Sequence, residues 1–68
     1  MPEIMPIIQI SMVEGRSDEQ IRALIRGVTQ AAVDAIGAPI DTVKVIVTEV
    51  KPSHWGSGEQ TIAEKRNS

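Results

Sequence analysis

Pro6 and Arg16 are the two residues of this chain whose types and spacing best suit proton-transfer chemistry. A proline whose nitrogen is the chain terminus is a secondary amine with a free lone pair. The same proline inside a chain is an amide and accepts no proton. Arg16 follows the pair Glu14-Gly15, and its guanidinium is a permanent cation shaped to grip a carboxylate. Together they offer a candidate amine base and a candidate anion-binding group. Methionine precedes each early proline, Met1 before Pro2 and Met5 before Pro6. Which of these bonds is cut decides which nitrogen is basic.

At 68 residues the chain is expected to be a single small domain, below the size at which one core usually suffices. It has no cysteine and one histidine, which excludes disulfides and disfavours a structural zinc site. Hydrophobic residues make up 41%, nearly all aliphatic, and Trp55 is the only aromatic side chain. Oligomerisation is therefore the expected stabiliser. A net charge of −2 argues against a nucleic-acid partner, which requires a basic face. No apolar stretch approaches the ~20 residues of a membrane span. The first residues lack the basic region and apolar core of a secretion signal, so the expected location is the cytoplasm.

The elements that must place Pro6 and Arg16 follow from the pattern of side chains. Ile7–Val13 is β-prone and partly alternating, with Ile8, Ile10 and Met12 on one face and Ile7, Gln9, Ser11 and Val13 on the other. Gly15 suits the turn that leaves the strand. Ser17 with Gln20 is a capping-box pattern, and Asp18 and Glu19 suit the positive end of a helix. Ile21, Leu24, Ile25, Val28, Ala32, Ala35 and Ile36 then form one helical stripe. Gly37 and Pro39 end it. Residues 43–50, a run of valine and isoleucine, carry the strongest strand signal. Residues 52–58 read as a loop, and 60–66 suggest a small strand or hairpin arm.

Strand, helix and strand predict a βαβ unit, an α/β fold with two parallel strands. A lone two-stranded sheet leaves open edges and an uncovered face. Copies joining edge to edge and face to face would remove both, so self-association is expected on physical grounds alone.

Several short runs stand in one register: Pro6-Ile7, Glu14-Gly15-Arg16-Ser17-Asp18-Glu19-Gln20, Ala38-Pro39, Val43-Lys44-Val45-Ile46 and His54-Trp55-Gly56-Ser57-Gly58. On these the chain resembles the tautomerase superfamily, specifically the 4-oxalocrotonate tautomerase (2-hydroxymuconate tautomerase) family. The likeness covers residues 6 to about 66. It implies a small βαβ subunit of the tautomerase type, paired into dimers and assembled as a hexamer. It implies an isomerase that converts 2-hydroxymuconate-like dienols to their 2-oxo isomers, within aromatic-compound degradation, without metal or organic cofactor. The catalytic base of the resemblance is Pro6, with Arg16, Lys44 and Trp55 as substrate-binding residues. Arg16 and Lys44 would come from neighbouring subunits. Such cations disfavour the charged form of a nearby amine and lower its pKa, and they steady charge developing on the enol oxygen. Trp55 would exclude water and pack on the flat conjugated chain.

Two positions depart from the family pattern. Lys44 stands where relatives carry arginine, giving a point charge in place of a planar two-pronged grip. Residues 1–5 precede the family start at Pro6. The expectation is that maturation at Met5 frees Pro6. The alternative is a non-catalytic subunit of a mixed oligomer, with Pro6 blocked by the extension. Dehalogenation or decarboxylation by the same proline is disfavoured, since Glu59 is the only nearby carboxylate to activate water. His54 reads as a loop residue, and Arg22 and Arg26 as a solvated face or subunit contact.

Overall fold

A computed structural model describes residues 5–67. The expected extension, Met5 apart, and the alternative terminal Pro2 lie outside the described residues. Strand β1 (Ile7–Val13) is followed by helix α1 (Asp18–Ile36), a 3-10 turn (Ile40–Thr42) and strand β2 (Lys44–Val50). β1 and β2 pair in parallel, Ile7 opposite Lys44 and Val13 opposite Val50. This is the βαβ unit that the sequence pattern predicts. Backbone bonds extend the ladder at both ends: Lys44 N–H donates to Pro6 O at 3.0 Å, and Glu14 N–H donates to Val50 O at 2.9 Å.

The boundaries of α1 have local causes. The Ser17 hydroxyl accepts from Gln20 N–H at 3.1 Å, and Gln20 Oε1 accepts from Ser17 N–H at 3.0 Å, so both halves of the capping box form. At the other end Gly37 takes φ 68°, and its N–H donates to Val33 O, the left-handed stop that glycine allows.

The half-buried face of α1 comprises Ile21, Leu24, Ile25, Val28, Thr29, Ala32 and Val33. Ala35 and Ile36, expected on the same stripe, are exposed. The reason is length. The helix has 19 residues and rises about 27 Å, while a strand of 7 residues covers about 20 Å. Its last turn overhangs the sheet.

The region after β2 differs from expectation in part. Residues 52–58, read as a loop, contain a 3-10 turn (Pro52–His54) and a short strand β3 (Gly56–Ser57). β3 pairs antiparallel with β4 (Gln60–Thr61), which is the hairpin arm expected there. The chain then turns into helix α2 (Ile62–Arg66), which the sequence pattern did not specify. Five residues are too few to show a periodicity.

Ala38 and Val43 are the buried apolar residues among those described. One sheet face, with Ile8, Ile10, Met12, Val45 and Val47, is half-covered, whereas Ile7, Gln9, Ser11, Lys44, Ile46 and Thr48 of the other face are exposed. The accessible surface is 5310 Å², against roughly 4,200 Å² for a compact monomer of this mass. The radius of gyration is 15.6 Å, against about 11 Å for a compact domain of this length. The chain alone is thus a flat layer, 52 × 25 × 15 Å, with apolar surface left for others to cover.

Candidate functional site

Parallel pairing places the candidate side chains at two opposite ends of the sheet. Pro6 and Lys44 share the end where both strands begin. The Pro6 carbonyl accepts from the Lys44 backbone N–H, and Lys44 Nζ donates to the carbonyl of Asp41 at 3.2 Å. That bond turns the ammonium toward the 3-10 turn and leaves it donors for an anion. Exposed apolar side chains also gather at this end: Met5 ahead of β1, Ile7 on it, Ile36 closing α1, and Ile40. Helix α1 runs back along the strands, so its last turn and the turn after it reach the level of Pro6.

Arg16 lies at the far end. Gly15, with φ 133°, turns the chain out of β1 in a conformation that side-chain-bearing residues rarely adopt. Arg16 is thereby set immediately before the Ser17 cap of α1. An open cleft of about 340 Å³ is lined there by Met12, Val13, Glu14, Gly15, Arg16 and Arg66. Two guanidinium-bearing residues from distant parts of the sequence thus border one opening. Arg66 was not among the residues singled out from sequence. Its signal was the Lys65-Arg66 pair, and without the course of 60–66 that pair had no place.

Trp55 follows the end of β2 through the 3-10 turn and therefore belongs to the Arg16 end as well. It is half-buried. Its carbonyl accepts from Ile62 N–H at 2.9 Å, and its N–H donates to Pro52 O at 3.4 Å. Helix α2 is closed at its start by a reciprocal pair. Glu64 Oε1 accepts from Thr61 N–H at 2.9 Å, and Thr61 Oγ1 accepts from Glu64 N–H at 3.1 Å. The bond from the Thr61 backbone, then that from its side chain, holds the Glu64 carboxyl below the ordinary carboxylate range.

A single chain therefore brings together Pro6 with Lys44, and separately Arg16 with Arg66. The two groups are separated by the length of β1, about 20 Å. No small substrate spans that distance, so one copy presents two candidate half-sites.

The family model described as "Tautomerase enzyme" matches residues 6–65, opening at Pro6. The chain belongs to the tautomerase family. A 2-hydroxymuconate tautomerase of Pseudomonas sp. (strain CF600) is 40% identical over 62 residues, 91% of this chain and 98% of that protein. The crystal structure of TomN, a 4-oxalocrotonate tautomerase homologue in the tomaymycin biosynthetic pathway, superposes with a TM-score of 0.91. It is 40% identical, with 93% of this chain and 97% of that chain covered. A heterohexamer 4-oxalocrotonate tautomerase from Chloroflexus aurantiacus J-10-fl gives a TM-score of 0.84 and 42% identity, covering 88% and 97%. The chain is an isomerase of the 4-oxalocrotonate tautomerase type, and its parallel βαβ layer is the family fold. Among the described residues no helix is long and apolar enough to cross a membrane.

Proposed function

We propose that the chain ketonises 2-hydroxymuconate-like dienols, with the free amine of Pro6 as base and residues 1–5 as an extension ahead of the family domain. The observation that carries this reading is the family match opening at Pro6, beside a relative named for that activity. The Pro6 nitrogen takes the proton of the 2-hydroxyl group. As a secondary ammonium it returns the proton to carbon at the other end of the conjugated system, which leaves the 2-oxo isomer and the free amine. Arg16 and Lys44 bind carboxylate and enol oxygens and stabilise the charge that develops between the two transfers. Trp55 packs on the planar chain and limits water.

The two half-sites supply the argument for assembly. A second copy running in the opposite direction would set its Arg16 and Trp55 against the first copy's Pro6 and Lys44. Dimers stacking through the open face of the sheet would then cover Ile7 and Ile46, in keeping with a cytoplasmic hexamer. The test is a chain that starts at Pro6, confirmed by intact mass and assayed for ketonisation of 2-hydroxymuconate. An assembled Pro6-terminated protein that leaves the dienol unchanged would overturn the reading.

A second reading is favoured by the C. aurantiacus relative, a heterohexamer by its description. In it residues 1–5 persist, Pro6 stays an amide, and the chain serves as a non-catalytic partner in a mixed oligomer. Intact mass from the native host separates the two, because a mass that includes Glu3 excludes a Pro6 terminus.

A further inference from the structure

We infer that Glu64 is a positioning residue for Trp55, acting through the start of helix α2. Every helix begins with amides that lack an intrahelical acceptor. At α2 three of these have distinct partners. Thr61 N–H finds the Glu64 carboxylate, Glu64 N–H finds the Thr61 hydroxyl, and Ile62 N–H finds the Trp55 carbonyl. The tryptophan backbone is thus itself part of the helix cap. Its other backbone bond, from Trp55 N–H to Pro52 O, is long at 3.4 Å, so the α2 contact is the firmer of the two. Lys65 Nζ adds a bond to Ser57 Oγ at 3.0 Å, tying the last turn of α2 to β3, directly after Trp55 and Gly56.

A helix of five residues is far below the length at which helices persist unaided. It exists because its cap and its packing on the turn Pro52–His54 hold it. Loss of the Glu64 carboxylate leaves Thr61 N–H without its partner and frays α2 from its start. The Trp55 carbonyl then loses its donor, and the indole loses a fixed direction. Gln20 performs the same reciprocal role at α1, so glutamine at position 64 should preserve the brace where alanine cannot.

Trp55 is the only tryptophan, so its fluorescence reads the brace directly in the assembled, Pro6-terminated enzyme. For Glu64→Ala the inference expects a lower emission anisotropy and stronger acrylamide quenching, with Glu64→Gln unchanged from the parent. The link to turnover rests on the proposed role of Trp55 at the site. There KM of Glu64→Ala for 2-hydroxymuconate should rise about fivefold, the effect of one typical cap, with kcat little altered. Unchanged fluorescence in Glu64→Ala, or equal loss in Glu64→Gln, overturns the inference. Altered fluorescence with unchanged KM upholds the brace and overturns instead the placing of Trp55 against substrate.

Discussion

Lys44 donates its backbone N–H to the carbonyl of Pro6 at 3.0 Å, so the first rung of the sheet joins the candidate base to a cation-bearing residue of the same chain. The side chain reaches the Asp41 carbonyl, which fixes its direction without neutralising it. Removal of the ammonium should cost a charged hydrogen bond to the substrate, about 1.5–3 kcal/mol, a fall in kcat/KM of roughly 10- to 150-fold for Lys44→Ala. Lys44→Arg should retain activity and improve discrimination for a substrate carboxylate, since a guanidinium grips two oxygens at once. Steady-state kinetics on the Pro6-terminated enzyme check both. Parent-like kinetics in both variants would remove position 44 from the site.

The separation of Pro6 from Arg16 by the length of β1 predicts complementation between chains. A Pro6-terminated Arg16→Ala chain should lose at least tenfold in kcat/KM, and a chain retaining residues 1–5 should be inactive through its acylated Pro6. Co-expressed, the two should regain about a quarter of the parent activity, the share of sites in a random assembly that join an intact Pro6 to an intact Arg16. No recovery in mixed oligomers would mean that both residues serve one site from one chain. Arg66 should matter less than Arg16. It closes a five-residue helix, and ordering a long exposed side chain offsets much of its electrostatic gain. Arg66→Ala should therefore change KM by less than about threefold.

Much of this arrangement can be read from residue order because its causes are local. Ser17 with Gln20, Gly37 with Pro39, and the valine-isoleucine run of β2 each act within a few residues, and each sits where the side chains require. The two candidate half-sites follow from parallel pairing alone. What is not local was not legible. The overhang of Ala35 and Ile36 depends on helix length against strand length. The approach of Arg66 to Arg16 depends on a hairpin and a one-turn helix whose direction no periodicity encodes. Met12 shares a strand face with Ile8 and Ile10, yet it also lines the cleft, because it stands where the sheet ends.

Two glycines predict stability changes of opposite sign. Gly15 holds φ 133°, and a Cβ there would meet nothing within 4 Å. The cost of Gly15→Ala is therefore backbone strain alone, about 1–2 kcal/mol. Gly27 lies within α1, likewise with open space around a new Cβ, and in a helical conformation that alanine prefers by about 1 kcal/mol. Thermal melts at equal protein concentration should show Gly15→Ala lowered and Gly27→Ala raised, each by on the order of 4–8 °C per kcal/mol. A destabilised Gly27→Ala would locate another copy against that face of α1.

Acid should loosen the Trp55 region before it unfolds the sheet. The Glu64 carboxyl lies below its ordinary value of 4.5 because it accepts the Thr61 N–H bond and shares the cap with the Thr61 hydroxyl. A group whose folded pKa is depressed contributes stability that is complete above its unfolded pKa and is lost as pH falls through the folded one. The cap is therefore intact at neutral pH. It should weaken as pH drops below 4.5, because the oxygen of a protonated carboxyl accepts less strongly than that of a carboxylate. Trp55 anisotropy followed from pH 7 downward should fall in the parent at acid pH, while Glu64→Gln, with no proton to gain, should hold a flat baseline until global unfolding. Coincident transitions in the two proteins would assign the acid response to another carboxylate.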